Sequence, residues 1–124
     1  MEKESAQKPL ILFKYGGNAM SNEQLQNAVL QNIGKLKKQG FRVVIVHGGG
    51  PFIKEALDEA KIESEFIDGQ RKTTKKAFEY VEMTLRGKVN SILVRMLNAQ
   101  GYKAVGLSGQ DGSFVKANKR LHET

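Results

Sequence analysis

The 124-residue sequence has no cysteine, no tryptophan, only two prolines, and no apolar run long enough to cross a membrane. Without cysteine there is no disulfide framework, no thiolate-held metal and no thiol nucleophile, which fits a reducing, cytoplasmic setting. The opening Met1–Lys8 is polar and mixed in charge. It lacks the apolar core of a signal peptide and reads as a flexible tail, residues 1–8, before a domain over 9–124. Acidic residues thin out along the chain: 71–124 hold four Asp/Glu against eleven Lys/Arg, whereas 1–70 hold nine of each. The formal net charge of +7 therefore falls in the second half. A basic half is one footprint of nucleic-acid binding. Here no basic run is interleaved with aromatics, and Lys75, Lys76, Arg86 and Lys88 fall on solvated helix positions. Nucleic acid is disfavoured, and a bias towards small anionic substrates is expected.

Hydropathy patterning predicts alternating strands and helices. Residues 9–14 form a compact apolar run ended by Gly16-Gly17, read as a buried strand. Ser21, with Gln24 three residues on, predicts a capping box opening a helix with Leu25, Ala28, Val29, Ile33 and Leu36 inward and Gly40 as its C-terminal stop. Phe41 to Val46 is β-branched and continuous, as in a central parallel strand, and runs into His47-Gly48-Gly49-Gly50-Pro51. Pro51 suits the first turn of a second helix that buries Ile53, Ala56, Leu57 and Ala60. Asp68-Gly69 suits the turn of a small hairpin. A third helix from Thr73 or Thr74 buries Ala77, Phe78, Val81 and Leu85. Gly87 interrupts it, and a fourth continues with Val89, Ile92, Leu93, Met96 and Leu97 to Gly101. Two further strands are expected at Lys103–Leu107 and at 113–118, separated by the turn Ser108–Gly112. This order implies an α/β fold of three layers, α/β/α, around a mostly parallel open sheet, with an unpaired edge where a flank is missing.

The most informative local feature is the strand–Gly48-Gly49-Gly50–Pro51–helix junction. Consecutive glycines admit a ligand close to the backbone, and helix-start amides favour a phosphate or a carboxylate. A plain tight turn would need glycine too, but hardly three in a row. The spacing is neither that of a P-loop nor that of a dinucleotide fingerprint. The second feature is Lys14-Tyr15-Gly16-Gly17-Asn18 at the carboxyl end of the first strand, where open α/β sheets bind ligands. Neighbouring strands would put Lys14 and the 48–50 loop on one edge, with the lysine able to neutralise a transferring phosphoryl group. Arg71, after the hairpin turn, is a fork suited to a carboxylate, or a surface charge if nothing else lies near it. His47 reads as a ligand, a base, or a polar residue satisfied at the strand end; no neighbouring residues complete a metal set. His122 carries no signal, and Asp111-Gly112 reads as a turn.

Four blocks together carry a resemblance: Lys14-Tyr15-Gly16-Gly17-Asn18-Ala19-Met20, Val46-His47-Gly48-Gly49-Gly50-Pro51, Val81-Glu82-Met83 with Gly87-Lys88-Val89-Asn90, and Ala104-Val105-Gly106-Leu107-Ser108-Gly109-Gln110-Asp111-Gly112. In order and spacing they resemble acetylglutamate kinase, of the amino-acid-kinase family, over nearly all of residues 9–118. The resemblance implies ATP- and Mg2+-dependent phosphorylation of the side-chain carboxylate of N-acetyl-L-glutamate in arginine biosynthesis. It implies that Lys14 stabilises the transferring phosphoryl group, that Gly49, Gly50 and Arg71 hold the acylated amino acid, and that Gly16, Gly17 and Gly48 line the phosphate. It further implies a homodimer through the helix around Val81–Leu85. The chain would be the amino-terminal half, inactive without a complementary half that carries the ATP pocket, a second lysine and an organising aspartate. Thr74 stands where the family usually has an acidic residue. Two other readings keep the same loops: a kinase of the acetylaminoadipate type, and a non-catalytic regulatory domain that binds an amino acid.

Overall fold

The computed structural model describes residues 7–121. Most of the expected tail, and His122, lie outside the described residues. Lys8, at the end of that tail, rests its ammonium over the Phe41 ring, 4.7 Å from the centroid.

Two strands form the structural spine. β1, Leu10–Tyr15, pairs in parallel with β2, Arg42–His47, in register from Leu10↔Arg42 to Tyr15↔His47. The period of two divides their side chains cleanly. Ile11, Phe13, Tyr15, Val43, Ile45 and His47 are at least half-buried, whereas Leu10, Leu12, Lys14, Val44 and Val46 are exposed. The covered face meets a core of Tyr15, Met20, Leu30, Ile33, Val89, Leu93 and Leu97. The fold is therefore α/β with parallel pairing as expected, but among the described residues the sheet has helices on one face only.

Between the strands lie a 3-10 turn, Gly17–Met20, and helix α1, Glu23–Lys38. The expected start at Ser21 is displaced by one residue. Because the 3-10 turn runs to Met20, it is the Asn22 side chain that caps, accepting the Leu25 amide at 2.9 Å. The buried stripe shifts in step, to Gln26, Leu30, Ile33 and Gly34, while Leu25 and Ala28 face solvent. Gln26 is tolerated inside because its amide donates to the Met20 carbonyl. Gly34 admits the Tyr102 ring, which lies where a Cβ would project. Gly40, at φ +90, ends the helix as expected.

α2, Gly50–Glu59, buries Leu57 and half-buries Ile53, Ala56 and Ala60, the anticipated face. The hairpin β3, Glu65–Ile67, and β4, Gln70–Lys72, turns at Asp68 (φ +49) and Gly69 (φ +74), the double positive φ that suits Asp-Gly. α3, Lys75–Glu82, is capped by Thr74, whose hydroxyl accepts the Ala77 amide.

Three expectations fail beyond this point. Phe78 is exposed rather than buried. Gly87 does not interrupt the helix: α3 passes through a π-helical stretch, Met83–Asn90, directly into α4, Ser91–Ala99. The wide turn accommodates glycine and resets the buried stripe, which steps from Thr84 to Val89 and then runs on at Leu93 and Leu97. Finally, neither 103–107 nor 113–118 is a strand. A strand needs a ladder; here the Asn98 side chain takes both backbone groups of Ala104, at 3.1 and 3.4 Å. Val105, Leu107, Phe114 and Val115 are left exposed. The Ser108–Gly112 turn is present, and 3-10 geometry follows at Asp111–Ser113.

Candidate functional site

The in-register pairing of β1 and β2 brings their carboxyl ends to one edge, and the Gly48 amide extends the ladder by donating to the Tyr15 carbonyl at 3.0 Å. Lys14, opposite Val46, projects on the exposed face of the sheet, with its ammonium 3.8 Å from the position of a Cβ on Gly16. Gly17, at φ +70, makes the left-handed step that starts the 3-10 turn, and a side chain there would be strained. The turn is held from within by the Tyr15 hydroxyl, which donates to the Ala19 carbonyl at 2.9 Å. Burial pushes the Tyr15 phenol above its ordinary value, so it stays a donor at neutral pH.

Across the edge, Gly49 caps α2 and its carbonyl accepts the Ile53 amide at 2.8 Å. Its Cβ direction is closed by Leu85 and Val89, whose nearest atoms lie 2.7 and 3.2 Å from the Cβ position. Gly48 and Gly50 are open on that side, and the first-turn amides of α2 have no partner within the helix. Lys14, Gly16-Gly17 and Gly48–Gly50 thus share the carboxyl edge of the β1–β2 pair, with open space at Gly48 and Gly50. It is an open wall rather than a cavity. A cleft of about 580 Å³ lies elsewhere, between Met20, Gln26, Phe52, Arg95 and Gln100.

His47 is satisfied at the strand end, one of its anticipated readings: Nδ1 lies 2.9 Å from the Gly48 carbonyl and Nε2 3.0 Å from Asn90 Nδ2. Asn90 escaped the residue-by-residue reading, since nothing in periodicity links positions 43 residues apart across a π-turn. Arg71 is not seen joined to this edge. Half-buried on β4, its guanidinium lies 4.6 Å from the Phe66 ring centroid and donates to the Ser64 hydroxyl. Among the described residues no group of three or more metal-ligating side chains occurs, and no helix is long and apolar enough to cross a membrane.

The turn after α4 is tied to the long helix. Asp111 accepts the Ser108 amide at 2.6 Å and pairs with Arg86 at 2.7 Å, while Gln110 donates to Glu82. The Ser108 amide first, then the Ser108 hydroxyl and the Arg86 charge, hold the Asp111 carboxyl below its ordinary value against an opposing desolvation. A depressed carboxyl stabilises the turn above its unfolded value, near about pH 4. That support is lost as pH falls through the folded value. An NMR titration should therefore show the Ser108 amide losing its hydrogen-bonded shift only below about pH 4. Loss of that shift near neutrality would contradict the assignment.

The amino acid kinase family model matches residues 9–124. The chain belongs to the amino acid kinase family. Curated relatives within it include the acetylglutamate kinase of Caldicellulosiruptor bescii, 46% identical over 109 residues, covering 88% of this chain and 37% of that one. That of Methylobacillus flagellatus is 47% identical over 111 residues, covering 90% and 38%. The chain thus spans well under half the length of the curated relatives it matches, a smaller share than the half expected from sequence. Among solved structures, smu.665 from Streptococcus mutans UA159 superposes with a TM-score of 0.67 at 30% identity, over 74% of this chain and 37% of that one. The N-acetylglutamate synthase of Neisseria gonorrhoeae, complexed with coenzyme A and N-acetyl-glutamate, gives 0.59 at 21% identity over 74% and 21%, a likeness of fold alone.

Proposed function

We propose that this member of the amino acid kinase family is the acyl-amino-acid-binding part of an acetylglutamate kinase of arginine biosynthesis, working in the cytoplasm. The observation that carries the reading is the shared edge: the β1–β2 pairing sets Lys14 and Gly16-Gly17 beside Gly48-Gly49-Gly50. In the proposed reaction a side-chain carboxylate oxygen of N-acetyl-L-glutamate attacks the γ-phosphorus of MgATP. The bond to the β,γ-bridging oxygen breaks, and an acyl phosphate and ADP form. Lys14 offsets charge on the transferring group, a point charge suited to oxygens that gain negative character in the transition state. Gly16, Gly17 and Gly48 line the phosphate, and Gly49 and Gly50 present backbone to the acylated amino acid. Arg71 takes a carboxylate of the substrate with its fork, once released from Ser64.

MgATP is a substrate here, and its pocket belongs to the rest of the kinase fold, supplied by a complementary carboxyl-terminal part. Two chains associate through the helix around Val81–Leu85, where Met83 and the nearby Phe78 present exposed apolar surface. The test is hydroxylamine trapping of acyl phosphate from N-acetyl-L-glutamate and MgATP. The chain alone should give none, and the chain combined with the remaining part of the fold should give product. Turnover by the 124 residues alone, abolished by Lys14→Ala, would contradict the division of labour, because this chain would then have to build a nucleotide site of its own.

A further inference from the structure

The glycine loop is shaped by a residue far from it in sequence. Gly48 and Gly49 flank a peptide plane that glycine leaves free to rotate, and its two polar groups point in opposite directions. Fixing the Gly48 carbonyl therefore fixes where the Gly49 N–H is aimed. The next plane is fixed in the same way, because the Gly49 carbonyl accepts the Ile53 amide and so turns the Gly50 N–H away from the helix.

The Gly48 carbonyl is held by the His47 ring. A carbonyl only accepts, so the bond at 2.9 Å requires the proton on Nδ1. In the neutral ring Nε2 is then an acceptor, and the amide of Asn90 donates to it at 3.0 Å. With Nδ2 committed, Asn90 Oδ1 is turned towards Gly106 and fills the place a Cβ would take there. Gly106 has no left-handed φ, so what it provides is space for the Asn90 amide. Leu85 and Val89, from the same π-helical stretch as Asn90, close on Gly49 from the other side.

We propose that Asn90 is a positioning residue for the substrate loop. It locks His47 in the Nδ1–H tautomer, which ties back the Gly48 carbonyl and aims the Gly49 amide at the substrate carboxylate. This rests on the reading of the 48–50 loop as the acyl-amino-acid site. The wide π-turn is what lets Leu85, Val89 and Asn90 all face the loop.

The experiment uses the 124-residue chain without any nucleotide. Long-range 15N–1H correlation of the imidazoles, at about pH 8 where an ordinary histidine is neutral, reads the tautomer directly, and calorimetry with N-acetyl-L-glutamate reads binding. The unaltered chain should show His47 protonated at Nδ1 and bare at Nε2. Asn90→Leu keeps the branching of the side chain and removes the donor, so it should give mixed tautomers and about tenfold weaker binding, or about 1.4 kcal/mol. Gly106→Ala displaces the Asn90 amide without touching the loop and should shift both readouts the same way, which covers the case in which Asn90→Leu disturbs folding. A His47 ring found as Nε2–H in the unaltered chain, or tautomer and affinity unchanged in both folded variants, overturns the proposal. An unaltered chain that shows the Nδ1–H ring yet binds no N-acetyl-L-glutamate overturns the substrate-loop reading, and the aiming of Gly49 with it, while leaving the His47–Asn90 lock observed.

Discussion

Lys14→Ala is expected to lower acyl-phosphate formation by about 10²–10³-fold once the chain is joined to the remaining part of a kinase such as that of Caldicellulosiruptor bescii. The size follows from position. Lys14 is the penultimate residue of β1, its side chain lies on the exposed face, and its ammonium comes down beside the first glycine turn. Removing it leaves the β1–β2 ladder, the Gly48–Gly50 amides and Arg71 in place. The proposed contacts to the acylated amino acid survive, so KM for N-acetyl-L-glutamate should move little while kcat carries the loss, the pattern of a group that acts mainly in the transition state. Steady-state rates by hydroxylamine trapping check it. A loss below about threefold, or one confined to KM, would remove Lys14 from the proposed role.

The largest effect on stability short of deleting a core side chain is expected at Gly34. Alanine in a helix interior normally gains about 1 kcal/mol over glycine. Here the new methyl would occupy the Tyr102 ring, which packs against the core and carries the Lys38 ammonium 5.2 Å from its centroid. The ring must leave. Losing a large aromatic from a packed position costs about 3–5 kcal/mol, and Tyr102 is only half-buried. The net expectation is destabilisation of about 2 kcal/mol, or a fall in Tm of roughly 8 °C for a domain of this size. The same change made in a Tyr102→Ala background should be neutral or stabilising, because the clash is gone and only helix propensity remains. Thermal melts of the four proteins decide it. A raised Tm for Gly34→Ala in the intact background would mean that the ring does not lie there.

Much of the fold was legible because its signals are local. The β-branched run before Gly48 is a parallel strand as expected, although among the described residues it pairs with β1 alone and is not central; Asp68-Gly69 could supply two positive φ values, and Gly40 and Pro51 marked helix ends through their own backbone limits. The site edge was legible for the same reason: two strands ending in glycines need only pair to bring Lys14 and Gly48–Gly50 together. What escaped depends on partners distant in sequence. Ser21 offered a capping box, but the 3-10 turn running to Met20 moves the helix start on by one, and the Asn22 side chain caps instead. Gly87 reads as a break until a π-turn carries the helix through it, and Phe78 lies beside the inward stripe of Ala77, Val81 and Thr84 rather than on it. Residues 103–107 have strand propensity, but Asn98 takes the backbone groups of Ala104 that a neighbouring strand would use. The His47–Asn90 contact lies across that same π-turn, which is why sequence could name both residues but not their pairing.

The account turns on whether the 48–50 loop of this chain holds the acylated amino acid. The most direct measurement is a 15N–1H amide titration of the 124-residue chain with N-acetyl-L-glutamate. The account predicts saturable shifts concentrated at the amides of Gly49 and Gly50 and at the Arg71 side chain, with little change at the distant Gln100. A folded chain whose glycine-loop amides stay still at millimolar ligand would contradict it, as would shifts gathered instead in the cleft around Phe52 and Arg95.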